Sequence, residues 1–245
     1  MEQLRDRETE SDPTAPPVGG LVGGTISAIT RHIRDTNLMP GDRLPSETAL
    51  SRELGVSRPV VREAFRALAA MRILDLGNGR RARVGALDPG AMGLMFEHGV
   101  HTDQIGIQQV YDVRRTIETR IVTLAALRRT DEEAIRIREA AAAMRAAMDE
   151  PAVLMEADLD FHTLLAAASR NPVFALLIGA FGGITRQTWS IGWRSRTTPD
   201  LRERMIANHE AIADAVAGGD SAAAAEAMAL HFDESLRALV AAGVS

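Results

Sequence analysis

Three histidines in the second half of the chain, His162, His209 and His231, are the residues best suited to chemistry, and Asp158 precedes the first of them by four positions. On a helix that spacing puts the carboxylate and the imidazole on one face, about one turn apart. Imidazoles and an aspartate converging in a helical core would hold a divalent metal through nitrogen and oxygen, with positions left for water or a ligand. Asp160 is a competing carboxylate, but two residues away on a helix it points elsewhere. Spacing alone favours three unconnected, hydrogen-bonded histidines, because a lone histidine in a helix is more often a satisfied polar residue than a ligand. Arg58 and Arg62 are a second candidate set, also four apart. A guanidinium can donate two hydrogen bonds to O6 and N7 of guanine or grip a phosphate, although either arginine taken singly is an ordinary surface charge.

The 245 residues contain no cysteine, which excludes disulfides, thiolate nucleophiles, iron-sulfur clusters and cysteine-zinc fingers. With 46% hydrophobic and 25% charged residues the chain can bury a sizeable core, and no apolar run approaches the ~20 residues needed to cross a bilayer. The polar start from Glu2 to Asp12 has neither the basic end nor the apolar block of a secretory signal, so a soluble cytoplasmic protein with no membrane partner is expected. The net charge of -5 is unevenly spread: residues 1–19 carry -3, residues 20–87 carry +5 and residues 88–245 carry -7. A polyanionic partner therefore suits only the second of these segments.

These side chains need elements to position them. Residues 1–19, with Pro16-Pro17 and little to bury, read as a disordered arm. Val22, Ile26, Ile29 and Ile33 form the stripe of an amphipathic helix that Met39-Pro40-Gly41-Asp42 ends. Ser46 can cap a short helix through Leu54, stopped by Gly55, and Ser57 can cap another whose buried face is Val60, Val61, Ala64, Phe65 and Leu68. Asn78-Gly79, between Ile73-Leu74-Asp75-Leu76 and Arg80-Arg81-Ala82-Arg83-Val84, is a strong hairpin signal with a basic tip. Two helices across a tight turn and then a basic hairpin are the order of a winged helix-turn-helix over residues 20–87. Its second helix would place Ser57, Arg58 and Arg62 nearest the base edges of double-stranded DNA, and Asn78, Gly79 and Arg80 of the wing would approach the backbone or minor groove. Asp88-Pro89-Gly90 marks a boundary, with residues 88–101 expected as a linker. Residues 102–245 read as an all-α bundle of six or seven helices, with caps at Thr130, Thr198 and Asp220. The expected fold is thus mainly α.

Pro40-Gly41-Asp42-Arg43-Leu44-Pro45-Ser46-Glu47 and Leu54-Gly55-Val56-Ser57-Arg58-Pro59-Val60-Val61-Arg62-Glu63-Ala64 resemble the GntR family of bacterial transcription regulators. The resemblance implies that Arg58 and Arg62 are recognition-helix arginines and that Gly79 is the wing glycine. Thr48 stands where many members carry arginine. Asp158-Leu159-Asp160-Phe161-His162, Asn171-Pro172, His209-Glu210-Ala211-Ile212 and Met228-Ala229-Leu230-His231 are similar to the FCD effector domain of the FadR-type branch, and Tyr111 to Glu118 is similar to its first long helix. By that resemblance Asp158, His162, His209 and His231 bind one divalent metal, whether zinc, nickel or manganese, and a small organic acid such as a hydroxy or sugar acid completes the coordination. Arg114 matches the family's recurring arginine and is the expected effector contact; an Arg114–Glu118 pair on a wet helix surface is the alternative. Trp189, Trp193, Arg186 and Arg194 lie on or near one helix and are further candidates to line a cavity.

The expectation is a homodimeric, ligand-responsive regulator on operator DNA, usually a repressor in this family, and not an enzyme. A metal-dependent hydrolase and a ligand-insensitive architectural DNA binder are the alternatives. No general base or oxyanion device is evident for the hydrolase, and a basic winged helix has no part in hydrolysis.

Overall fold

The computed structural model describes residues 20–77 and 81–244, so the expected arm and the wing-tip residues Asn78, Gly79 and Arg80 lie outside the described residues. The chain divides into two compact units, one ending at Asp88 and the other beginning at Pro89.

In the first unit α1 (Gly20–Asp35) turns its stripe inward: Ile29 is fully buried, and Val22, Ile26 and Ile33 pack beside it. The helix ends before Met39-Pro40-Gly41-Asp42, because Asn37 takes a left-handed backbone (φ 52°), which asparagine tolerates better than most residues. Ser46 accepts the amide of Ala49 to cap α2 (Glu47–Leu54), and Gly55, at φ 66°, closes it. Helix α3 (Arg58–Ala70) follows, with Pro59 in its first turn and Val61, Ala64, Phe65 and Leu68 buried. Ser57 occupies the N-cap position but its side chain makes no capping bond, contrary to expectation. Strands β1 (Leu74–Asp75) and β2 (Arg83–Val84) pair antiparallel, Leu74 opposite Val84, and Arg83 also bridges Arg43.

The second unit is entirely helical among the described residues: α4 (Gly90–His101), α5 (Ile107–Arg128), α6 (Asp131–Ala146), α7 (Pro151–Ala168), α8 (Pro172–Ser195), α9 (Pro199–Gly218) and α10 (Ser221–Ala241). Residues 90–101 thus form a helix rather than a linker. It packs on α8 where Gly93 comes so close that an added Cβ would meet the carbonyl of Ala180 at 3.2 Å. Side-chain caps start four of the helices: Thr130 with Glu133 on α6, Asn171 on α8, Thr198 on α9 and Asp220 on α10. The core runs through Ile121, Met144, Leu154, Phe161, Leu165, Ile206 and Phe232. Burying each such side chain contributes about 1.5–3 kcal/mol, which offsets the ordering of long helices of weak intrinsic stability. Among the described residues no helix is long and apolar enough to cross a membrane.

Candidate functional site

Three helices bring the four predicted metal residues together. Helix α7 carries Asp158 and His162 one turn apart, α9 carries His209 and α10 carries His231; all four are buried. The three imidazoles each offer a nitrogen within 4.8 Å of the others. Hydrogen bonds set which nitrogen is available. His209 Nδ1 lies 2.7 Å from the carbonyl oxygen of Met205, an acceptor, so that nitrogen carries the proton and Nε2 presents a lone pair. Yet Nε2 is sealed from solvent without a hydrogen-bond partner, and Asp158 Oδ1 is 3.0 Å away. Two acceptors at that distance repel unless a cation, whether a metal ion or a proton on His209, lies between or beside them. His162 is oriented in the same manner, its Nδ1 against Oε2 of Glu118, which leaves its Nε2 for the cavity.

Electrostatics keep these groups in their binding forms. Burial alone would raise the Asp158 carboxyl, but His209, His162 and Arg114 outweigh it and hold it below the usual carboxylate value. Burial, reinforced by His209, His162, Arg114 and Arg196, pushes His231 well below 6.5, so its imidazole stays neutral. A neutral imidazole and an ionised carboxylate are what metal ligation requires.

Arg114 is buried rather than on a wet surface. Its Nε donates to Glu118 at 2.8 Å and its Nη1 to Thr185 at 2.9 Å, and its guanidinium lies 5.1 Å from the Phe232 ring centre. The i,i+4 pair with Glu118 therefore exists, but inside the bundle, where Glu118 also holds His162. Arg114, Asp158, His162 and His231 line one cavity of about 40 Å³ together with Trp189 and Arg196. That is room for a few water molecules. Of the other candidates, Trp193 stacks on Trp189 and is buried, Arg186 pairs with Glu156 at 2.9 Å, and Arg194 is exposed. Asp160 is exposed too, and it does not line the cavity that Asp158 shares with His162 and His231. Arg196, two residues beyond Arg194, was missed by sequence reasoning: it caps the end of α8, where helical spacing no longer predicts direction.

On the first unit the start of α3 presents Ser57, Arg58 and Arg62 to solvent. Arg62 is already engaged, donating from Nε and Nη2 to the Glu47 carboxylate, the shorter contact being 2.9 Å. Those bonds, ahead of the opposing effect of burial, lower the Glu47 pKa and keep the pair charged. Glu47, Thr48, Arg58, Arg62, Arg66 and Arg81 border one open groove, so Arg66 joins the predicted basic set. Arg83 is used structurally, donating to the carbonyl of Gly41.

A helix-turn-helix with a two-stranded wing and an arginine-edged groove, followed by a helical bundle, defines a DNA-binding transcription regulator with a companion domain. Residues 23–84 match the family model "Bacterial regulatory proteins, gntR family", and residues 109–234 match the FCD domain. The chain belongs to the GntR family and carries an FCD domain. It is 32% identical over 218 residues to the HTH-type transcriptional repressor NanR of Citrobacter rodentium (strain ICC168), covering 84% of this chain and 80% of that one. It is 29% identical over 206 residues to the HTH-type transcriptional regulator LutR of Bacillus subtilis (strain 168), covering 81% and 92%. The solved structure of Streptococcus agalactiae GntR shares the fold, with a TM-score of 0.67 at 23% identity over 88% of this chain and 99% of that one. These relatives are transcription regulators and not enzymes, which removes the hydrolase reading.

Proposed function

We propose that the protein is a repressor that binds near-palindromic operator DNA as a homodimer through residues 20–87. A small organic acid, such as a hydroxy or sugar acid, releases it by binding in the helical domain of residues 102–245 beside one divalent metal. The observation that carries this reading is the buried lone pair of His209 Nε2, facing Asp158 at 3.0 Å with His162 and His231 alongside. Asp158, His162, His209 and His231 would hold the metal, and zinc, nickel or manganese each suit that donor set. A metal held there would supply Lewis-acidic positive charge for a carboxylate.

The chain's own residues do the rest. Glu118 orients His162, and Met205 orients His209. Arg114 spends Nε and Nη1 on Glu118 and Thr185, and its Nη2, which makes no hydrogen bond among the described residues, is left for the anion. Effector contacts thus fall on α5, α7, α9 and α10, and a bound acid favours whichever arrangement of those helices fits it. The acid shifts DNA binding only by its differential affinity for the DNA-competent and incompetent arrangements, typically ~1 to 3 kcal/mol. By reciprocity, operator DNA weakens acid binding by the same factor.

Calorimetry of a hydroxy acid with and without saturating operator tests the coupling. A roughly 5- to 150-fold weaker acid affinity on the operator complex is expected, lost when the metal is removed. Identical affinities sink the reading, and would favour a helical domain that does not regulate through this ligand.

A further inference from the structure

Helix α3 carries a third arginine in line with Arg58 and Arg62. Arg66 stands four residues beyond Arg62, and the three form a row along one exposed side of the helix, beside the buried Val61, Ala64, Phe65 and Leu68. All three border one open groove of about 700 Å³, and Arg81 borders it from the wing, so four arginines there meet a single carboxylate, that of Glu47. An anion is the natural occupant of such a groove.

The four cations are not equally engaged. Arg62 spends Nε and Nη2 on Glu47. Arg66 gives Nη1 to Glu63 at 2.7 Å, in an i,i+3 pair whose two side chains are largely exposed, and a pair of that kind holds its arginine weakly. Arg81 makes no hydrogen bond or ion pair among the described residues.

Position separates Arg66 from the other two arginines of α3. At 1.5 Å per residue it lies about 12 Å further along the helix than Arg58. A recognition helix reads base edges with its N-terminal residues, and the major groove is only about 8.5 Å deep. Two turns on, a side chain has left the groove floor and meets the sugar-phosphate rim. The opposite wall says which rim: Phe65 and Arg66 share the groove with Leu76, Gly77 and Arg81, which flank the expected wing tip. The DNA strand that separates the major groove, entered by α3, from the minor groove, approached by the wing, passes between those two walls.

We propose that Arg66 and Arg81 form a phosphate clamp, one from the helix and one from the wing, on the sugar-phosphate strand between the two grooves. The clamp sets the depth and register of α3 without reading sequence, and base choice stays with the first turns of the helix. It rests on the operator-binding reading above.

Fluorescence anisotropy of the full-length protein tests the clamp on two labelled duplexes of equal length, one selected by the wild type from a random-sequence pool and one unselected. Arg66→Gln and Arg81→Gln should each weaken binding to both duplexes by the same factor. Each should also lower the slope of log affinity against log salt by about 0.9 per protomer bound. Arg66→Lys and Arg81→Lys should keep the slope, because a phosphate accepts a point charge where a guanine needs a fork. Arg34→Gln removes the same charge from α1, outside the groove, and should leave the slope as it is. A loss confined to the selected duplex, with preference relaxed at one base pair, overturns the clamp in favour of base reading. An unchanged slope in Arg66→Gln and Arg81→Gln overturns it too, as does an equal drop in Arg34→Gln, which would reduce the effect to net charge. A wild type that selects no duplex fails at the operator reading and takes the clamp with it, an outcome distinct from a wild type that binds with variants indistinguishable from it.

Discussion

Glu118 serves two partners at once, Arg114 on its own helix α5 and His162 on α7. Both sides of the Arg114–Glu118 pair are nearly inaccessible, at 5% and 2% exposure. Glu118→Ala would strand a buried guanidinium and should cost about 3–5 kcal/mol, read from urea denaturation of the metal-free protein. Its loss should also weaken metal binding roughly 10- to 100-fold, because His162 is no longer held in one tautomer and orientation. His209→Ala and His231→Ala should each lose the metal with helical content retained; stoichiometric metal in the double variant would dispose of the site. His231 adds a pH dependence. Its folded pKa lies well below 6.5, chiefly through burial, so below 6.5 the unfolded chain takes up a proton that the folded chain refuses. Stability of the metal-free protein should therefore fall between pH 7 and pH 5, by up to about 1.4 kcal/mol per unit from this group, and an unchanged denaturation midpoint would count against it. The identities of these residues were legible in the sequence as a spacing of four and a resemblance. Their burial was not: the same Arg114–Glu118 spacing describes a solvated pair equally well, and only the neighbours on α7 and α8 decide between them.

Caps and turns were the most readable features at the level of elements, because they depend on residues adjacent in sequence. Thr130 and Glu133 make the reciprocal box that their spacing announces, and Thr130→Ala should cost about 1 kcal/mol in thermal or chemical unfolding. Ser57 has the right residue type and the right position but no capping bond, so local preference alone misled there. The helix Gly90–His101 was illegible for the opposite reason. Its glycines at 90, 93 and 99 weaken helix propensity, and the packing of Gly93 against Ala180 compensates only in the folded chain. On α3, the grip of Glu47 on Arg62 means that the arginine is oriented before DNA arrives. Arg62→Ala should weaken operator binding roughly ten- to hundredfold if it reads a base, measured by fluorescence anisotropy at fixed salt. Equal operator binding by variant and wild type would remove Arg62 from the recognition surface.

For the molecule as a whole, the charge division matters more than the net value. The +5 of residues 20–87 and the -7 of residues 88–245 predict a logarithmic fall of DNA affinity with salt whose slope belongs to the first segment alone. Charge-reversing substitutions on the exposed faces of the helical domain should leave that slope unchanged, and a changed slope would implicate the acidic segment. The burial of the three imidazoles reaches further, into time. His209 is 0% exposed and the cavity around it is small, so a chelator too bulky for that cavity could not surround a metal held there while the bundle is closed. Loss of such a metal to a bulky chelator would then wait for local opening of helices in the stable core. A metal so enclosed is a lasting part of the protein, set when the chain folds, and cannot report fluctuating metal supply. The bundle would be deaf to the ion and answer only to what arrives afterwards.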